Sequence, residues 1–177
     1  MIIQFCGLSG SGKTTLALKA KEYFSGTAIQ IAIIDGDEYR KHLFPDLGYT
    51  RENRNTNIRR LAFIAGKFAQ YNIIPIICAI NPYEAIRREI CDQYTDVKTV
   101  YIKCSIEELL KRDPKGLYKQ ALLPDGDLSK IKNLTGINDP FEIPLNADLV
   151  IQTDTEPVDK SAGKLTGFIE ANTIHRI

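Results

Sequence analysis

The sequence has almost no excess of charge of either sign. Among its 177 residues, 23 Lys and Arg stand against 22 Asp and Glu, which gives a formal net charge of +1 at pH 7. A domain that binds a polyanion usually shows a clear basic excess. We therefore expect no nucleic-acid partner.

The sequence also lacks a long apolar run. The longest, IIPIICAI at residues 73–80, is far shorter than the roughly 20 residues that a transmembrane helix needs. No basic leader precedes the first strand candidate, which begins at Ile2. We expect no membrane span and no targeting segment, and we expect a cytoplasmic protein.

Residue types that bind metals are few and scattered. The four cysteines show no CxxC spacing, and three of them lie in or at the end of strand-like runs. This pattern favours buried free thiols in a reducing cytoplasm over a disulfide or metal set. His42 and His175 have no ligand-like neighbours, so we expect both at the surface and no structural zinc. The cysteines are Cys6, Cys78, Cys91 and Cys104.

What the sequence does contain is an alternation of short apolar strands and helical patterns. Such alternation builds βαβ units and predicts an α/β fold with a five-stranded parallel sheet flanked by helices. We expect a single domain over residues 1–177, with a weak last helix interrupted by Gly163 and Gly167. The predicted strands are 2–6, 28–35, 73–80, 97–104 and 147–153, and the earlier helices are 14–24, 51–72, 83–94 and 105–113.

One irregular stretch departs from this alternation. Residues 122–146 are rich in Pro, Gly, Asn and Asp. A long segment of this kind in a compact enzyme is usually functional. We expect a lid that spans about residues 115–146.

The strongest motif is GLSGSGKT at residues 7–14, which matches G-x-x-x-x-G-K-[ST] in full. In this pattern, backbone N–H groups and a helix N-terminus surround phosphate oxygens. Lys13 is expected to reach the β- and γ-phosphates, and the Thr14 hydroxyl to ligate Mg²⁺. We expect ATP to bind at Gly10, Ser11, Gly12, Lys13, Thr14 and Thr15.

A P-loop alone fits motors, switches and kinases. The chain is short for a motor and lacks the N-K-x-D pattern of guanine recognition, so small-molecule kinases remain. Asp35 and Asp37 follow the second strand, at the carboxyl edge of the sheet where open α/β folds bind ligands. We expect one carboxylate to face the metal and the other an acceptor hydroxyl. The alternative is a turn closed by two aspartates, which are common turn residues.

Six spaced motifs resemble those of adenylylsulfate (APS) kinases. From about residue 2 to about residue 153 they read GLSGSGKTT, DGDEYR, DLGYTRENRNTNIRR, AINPY, RDPKGLYKQA and TGINDPFEIPLNADLVI. The resemblance implies a P-loop kinase-like three-layer fold. It also implies transfer of the ATP γ-phosphoryl group to the 3′-hydroxyl of adenosine 5′-phosphosulfate, with Mg²⁺ as cofactor. It also implies a homodimer.

The resemblance assigns roles to individual residues. Asp37 corresponds to the residue that contacts the acceptor hydroxyl, and Asp35 to the one near Mg²⁺, which it reaches through water. Lys13 is placed with them in catalysis, and Tyr49 corresponds to an aromatic that packs on the substrate adenine. The expected substrate-binding positions are Asp37, Arg40, Tyr49, Arg54, Asn57, Lys115 and Leu134, together with the backbone around Ile80 and Asn81.

Charge supports part of this assignment. A phosphosulfate carries two negative charges, and paired arginines bind such oxygens bidentately. Arg40 and Arg54 are the expected pair. Arg87 and Arg88 fit a solvated helix face, and for Arg59 and Arg60 the sequence leaves the choice open.

Two departures from the family pattern bear on mechanism. Asn81 stands where the family often has a serine, and because asparagine is not a phosphoacceptor, direct in-line transfer is expected. Leu134 stands where the family usually has an aromatic before T-G. A kinase for another nucleotide, such as cytidine diphosphoramidate, is the first alternative. A non-catalytic ATP-binding regulatory domain is the second, and the intact set of Lys13, Thr14, Asp35 and Asp37 argues against it.

Overall fold

A computed structural model describes residues 1–173 of the chain as alternating strands and helices. The strands are β1 (Ile2–Cys6), β2 (Gln30–Asp35), β3 (Ile73–Cys78), β4 (Val97–Lys103) and β5 (Leu149–Gln152). The helices are α1 (Lys13–Tyr23), α2 (Gly36–His42), α3 (Arg51–Gln70), α4 (Glu84–Gln93), α5 (Ile106–Arg112), α6 (Leu117–Ala121) and α7 (Val158–Thr173). The strands form one parallel sheet in the order β2–β3–β1–β4–β5, which confirms the predicted α/β class.

The core lies on both faces of this sheet. Successive side chains of a strand point to opposite faces, so Ile2 and Ile3 enter different apolar clusters. The Ile3 cluster contains residues of α1 and α7, and the Ile2 cluster contains residues of α3 and α4. A sheet covered on both faces explains the nearly continuous apolar runs in its strands. All five residues of β1, the central strand, are buried.

The expected lid has a small core of its own. Leu134 and Tyr118 pack with Leu109 and Ala121 in a third apolar cluster, which also contains Cys104. Residues 117–121 form α6, so the segment is only partly irregular. Two further features differ from the sequence prediction: α2 begins immediately after β2, and α7 runs without a break through Gly163 and Gly167.

Arg87 corrects the expectation of a solvated face. Its side chain is only 2% exposed and pairs with Glu84, with 2.8 Å between Nη2 and Oε2. It also donates to the carbonyl oxygens of Asn81 at 2.7 Å and Glu142 at 2.6 Å. These partners surround the start of α4, so the guanidinium is buried with its donors satisfied. Arg88, one position further along the helix, is 58% exposed as expected.

The structure decides the two arginines that the sequence left open. Arg59 and Arg60 form surface ion pairs, at 2.6 Å with Glu89 and at 2.8 Å with Asp46.

Among residues 1–173, every helix is either too short or too polar to cross a bilayer.

The exposure of the cysteines and of His42 can be compared with the sequence predictions. All four cysteines are free. Three of them lie at or next to the ends of strands and are buried, as expected, whereas Cys91 lies in the last turn of α4 and is exposed. His42 is exposed, and His175 lies outside the described residues.

Candidate active site

The phosphate-binding loop spans residues 7–12, between the end of β1 and the start of α1. Gly7 has φ 152°, and a Cβ at this position would lie 2.4 Å from the carbonyl oxygen of Ile102. Only glycine fits there, because the obstructing atom belongs to the backbone of the neighbouring strand. The Gly7 N–H donates to the carbonyl oxygen of Ile80 at 3.1 Å, which ties the loop to the end of β3.

Lys13 lies at the start of α1 with its ammonium inside this loop. Its Nζ donates to the carbonyl oxygens of Gly7 at 2.9 Å and Leu8 at 2.7 Å. Burial lowers the pKa of Lys13 to about 8, although the neighbouring Cys78 and Asp37 act in the opposite direction. A cation that has lost part of its hydration is well suited to bind phosphate oxygens strongly.

Thr14 and Asp35 meet across the gap between α1 and β2. The Thr14 hydroxyl donates to Asp35 Oδ2 at 2.8 Å. The other carboxylate oxygen, Oδ1, accepts from the backbone N–H groups of Asp37 at 3.0 Å and Glu38 at 3.3 Å. Asp35 therefore also caps α2, a second role that the strand-end pattern did not indicate.

The donor set at this point suits Mg²⁺. Thr14 and Asp35 offer only oxygen atoms, and Mg²⁺ is commonly bound through one or two protein oxygens together with phosphates and waters. Residues 1–173 contain no group of three or more His, Cys, Asp or Glu side chains placed to hold a metal. A magnesium ion shared with phosphates does not require such a group.

Asp37 lies in the first turn of α2 and faces the lid. Its carboxylate accepts a hydrogen bond from the ammonium of Lys115, which comes from a segment 78 residues further along the chain. This hydrogen bond raises the pKa of Lys115. The two side chains are 74% and 55% exposed, so solvent and ligands can reach both.

The expected arginine pair flanks Tyr49. Arg40 and Arg54 place their guanidinium carbons 4.9 Å and 5.5 Å from the centre of its ring. Arg40 Nη1 donates to the carbonyl oxygens of Leu47 and Gly48, at 3.2 and 2.7 Å.

Arg54 is held from both sides of the site. Its Nε donates to the carbonyl oxygen of Tyr49 at 3.0 Å, and its Nη2 to that of Asn133 in the lid at 2.6 Å. A guanidinium has five N–H donors, so Arg40 and Arg54 each keep donors for a ligand.

These groups line one cavity of about 730 Å³. The P-loop lies at one side and the lid at the other, and the walls include Lys41, Ile131 and Asn133, which the sequence reasoning missed. Lys41 extends the basic run begun by Arg40, and this was the available signal for it. The predicted residues that line the cavity are Gly10, Gly12, Lys13, Thr14, Thr15, Asp35, Asp37, Arg40, Tyr49, Arg54, Ile80, Lys115 and Leu134.

Three predicted residues lie outside the cavity lining. Ser11 is fully buried within the P-loop. Asn57 is 5% exposed, and its side-chain oxygen has no hydrogen-bond partner among residues 1–173. Asn81 is 1% exposed and turns its amide into the core, where Nδ2 donates to Gln4 Oε1 at 3.0 Å. The segment therefore faces the cavity through Ile80 rather than through the asparagine side chain.

Leu134 contributes to the lid side of the cavity while remaining almost buried. It is 6% exposed and packs in the lid cluster beside Leu109 and Tyr118. Its backbone N–H donates to Asn138 Oδ1 at 2.7 Å, and Asn138 Nδ2 donates to the carbonyl oxygen of Ile131 at 2.8 Å. These bonds fix the turn that presents Leu134 to the cavity.

Comparison of the sequence with known proteins gives consistent matches. A family model described as adenylylsulphate kinase matches residues 1–152, which contain all five strands. The adenylyl-sulfate kinase of Halothermothrix orenii is 40% identical over 171 residues, which cover 95% of this chain and 88% of that protein. A probable bifunctional SAT/APS kinase 2 of Sorangium cellulosum is 38% identical over 169 residues. That match covers 96% of this chain, and the chain spans 28% of the length of that relative.

Comparison of the structures gives a similar result. The APS kinase of Mycobacterium tuberculosis, solved in complex with AMPPNP and APS, matches with a TM-score of 0.87. The two chains are 31% identical, and the match covers 96% of each. The similarity therefore extends over the P-loop, the sheet and the lid.

Proposed function

The chain belongs to the adenylylsulfate kinase family, and we propose that it transfers the γ-phosphoryl group of ATP to the 3′-hydroxyl of adenosine 5′-phosphosulfate. One observation carries the proposal. A single cavity of about 730 Å³ has the P-loop at one side and Asp37, flanked by basic side chains, at the other. Phosphoryl transfer depends mainly on positioning and charge stabilisation, and this arrangement can supply both.

The donor side of the cavity binds the triphosphate. The N–H groups of the P-loop and the ammonium of Lys13 hold its oxygens, after Lys13 exchanges the carbonyl oxygens of Gly7 and Leu8 for phosphate. Thr14 and Asp35 are the residues that would hold Mg²⁺, with Asp35 acting through water. When bound, Mg²⁺ supplies positive charge that offsets the charge of the phosphates.

The acceptor side orients the hydroxyl. Asp37 accepts a hydrogen bond from the attacking hydroxyl and takes its proton, while Lys115 gives up or shares its contact with the same carboxylate. Arg40 and Arg54 use their remaining donors on the phosphosulfate. Transfer is direct and in line, because the side chain at position 81 is an amide that points into the core.

We also propose a homodimer and a cytoplasmic location. The sequence resemblance supports the first, and the buried free thiols of Cys6, Cys78 and Cys104 are consistent with a reducing compartment. Molar mass by light scattering tests the dimer, which is contradicted by the mass of a single chain across the micromolar range.

An acceptor screen tests the proposed activity. The enzyme is incubated with Mg²⁺-ATP and, in separate reactions, with APS, cytidine diphosphoramidate, AMP, CMP or shikimate, and ADP release is followed. We expect APS to have the highest kcat/KM by a wide margin. A preference for a cytidine nucleotide would leave only the general kinase assignment, and no turnover with any acceptor would favour a regulatory ATP-binding domain.

A further inference from the structure

The lid contacts the P-loop directly through a buried tyrosine. Tyr118, in α6, is 1% exposed, and its hydroxyl donates to the carbonyl oxygen of Ser9 at 2.8 Å. Ser9 lies in the half of the P-loop that precedes Lys13, and Tyr118 is neither part of the P-loop nor a cavity-lining residue. The bond joins segments 109 residues apart in the sequence.

The turn before Tyr118 is held in one conformation by Asp113. The two carboxylate oxygens of Asp113 accept from the backbone N–H groups of Tyr118 at 3.1 Å and Lys119 at 3.0 Å. The Gly116 N–H donates to the carbonyl oxygen of Asp113 at 3.0 Å. The first turn of α6 is thus capped, which fixes the direction of the Tyr118 side chain.

Two apolar contacts support the same junction. A Cβ built on Gly136 of the lid would lie 2.7 Å from Cδ2 of Leu8, so the two residues approach closely. Gly10 lies under the ring of Pro114, whose Cδ is 3.4 Å from a Cβ built on that glycine. Leu8, Ser9 and Gly10 are therefore all covered by residues of the segment 114–136, and the Tyr118 hydroxyl provides the polar contact among these three contacts.

We propose that Tyr118 is a positioning residue for the phosphates of ATP: its hydroxyl holds the Ser9 carbonyl and so fixes the outer half of the phosphate-binding loop against α6. The loss of this hydrogen bond leaves a carbonyl unpaired and allows the loop N–H groups to depart from the geometry that receives phosphate. The same turn carries Lys115, which contacts Asp37. One short segment thereby sets the geometry of the phosphate site and also reaches the acceptor side.

This inference rests on one part of the proposed function, namely that ATP is the phosphoryl donor. Its test is the affinity for AMPPNP, a non-hydrolysable ATP analogue, measured by calorimetry with Mg²⁺. That affinity does not depend on which acceptor the enzyme uses. If APS proves to be the wrong acceptor, the measurement still decides the role of Tyr118.

The variant is Tyr118→Phe, which keeps the ring and removes the hydroxyl. We expect the Kd for AMPPNP and the KM for ATP to rise about threefold to tenfold, the range that corresponds to one net hydrogen bond. The KM for the acceptor and kcat should change by less than about twofold, because the interaction is made equally in the ground and transition states. Tyr94→Phe is the matched control: Tyr94 is a partly buried tyrosine that packs on Gly66 of α3, away from the cavity, and its variant should bind AMPPNP like the wild type.

Two results would overturn the proposal. One is an unchanged Kd for AMPPNP in Tyr118→Phe. The other is a rise in the KM for the acceptor and the KM for ATP together with a fall in kcat, all in proportion to a lower melting temperature. That result would show a purely structural role. If Tyr118→Phe does not fold, Asp113→Ala removes both acceptors that hold the turn of Tyr118 and so releases the direction of its hydroxyl. The same selective loss of AMPPNP affinity is then expected, and wild-type affinity in that variant would contradict the proposal.

Discussion

The two sides of the cavity are built in different ways. The donor side uses one continuous stretch, residues 7–15, together with Asp35 from the adjacent strand end. The acceptor side collects side chains from α2, the loop around Tyr49, α3 and the lid. A local motif predicts the first side because its geometry follows from one turn and one helix N-terminus. The second side depends on how distant segments pack, and its contacts are the ones that mutations can test most sharply.

The largest expected effect concerns Asp37 on the acceptor side. Asp37→Asn keeps the size of the side chain and removes its charge and basicity. We predict a fall in kcat of about 10² to 10⁴, the usual contribution of a positioned general base, with ATP affinity nearly unchanged. Single-turnover and steady-state assays with saturating ATP measure this effect.

The control is Glu38→Gln, which removes one negative charge from the same turn of α2. Glu38 is exposed and does not line the cavity, so kcat should stay within about twofold of wild type. If Asp37→Asn keeps more than about a tenth of the wild-type kcat, Asp37 is not the base.

A substitution at Asp35 distinguishes a metal-binding role from the role of a general base. Asp35→Asn should reduce activity about tenfold to a hundredfold, the range found when groups that hold a metal are changed. Asparagine is also a good helix cap, so α2 should remain intact. Added Mg²⁺ should restore part of the activity in a titration of initial rates. Rescue of Asp37→Asn by Mg²⁺, with none for Asp35→Asn, would reverse the two assignments.

The contrast between the two sides also explains which sequence predictions failed. The sequence pattern does not predict α2 because Gly36 is a poor helix former, and in the structure the Asp35 carboxylate caps the helix that begins there. The burial of Arg87 depends on the Glu142 carbonyl, 55 residues away, which no local pattern reveals. In contrast, all five strands were predicted, because apolar runs covered on both faces are a local signal.

Asn57 and Asn81 stay predictions as substrate-binding positions. Asn57 and the backbone at Asn81 are expected to bind substrate, and the side chains of both residues are buried outside the cavity lining. Asn81 has φ 47° and turns its amide toward Gln4, so the adjacent Ile80 lines the cavity and Asn81 does not. Which way a side chain points at the end of a strand depends on backbone conformation and on core partners, neither of which a motif specifies.

The donor side can be tested through pH because Lys13 is its partly buried cation. Lys13 is charged below its pKa of about 8 and neutral above it. We predict that kcat/KM for ATP is constant below pH 8 and falls about tenfold per pH unit above it, since this parameter reports the free enzyme. The decline in kcat should begin at higher pH, because bound phosphates favour the ammonium form.

Neighbouring groups do not produce the same break near pH 8. Burial raises the pKa of Cys6 and of Cys78 to about 12, and the hydrogen bond that Lys115 donates to Asp37 raises the pKa of Lys115. A rate profile recorded from pH 6.5 to about 9.5 at limiting ATP checks the prediction. A flat kcat/KM over that whole range would show that Lys13 keeps its charge in the free enzyme.

The smallest expected effect concerns Leu134 in the lid, where the resemblance would place an aromatic. A base stacked on an aromatic gains about 1–3 kcal/mol, but Leu134 is almost buried, so a larger ring must also displace its neighbours in the lid cluster. Overpacking typically costs about 1–3 kcal/mol. For Leu134→Phe we therefore predict a KM for APS lower by only about twofold to fivefold, an unchanged kcat and a lower melting temperature. Leu134→Met, which conserves volume without adding a ring, is the control and should leave the KM near that of the wild type. An unchanged or higher KM in Leu134→Phe, with the lid still folded, would mean that the base approaches the lid away from residue 134. The acceptor side would then differ from the donor side in ligand geometry as well as in assembly.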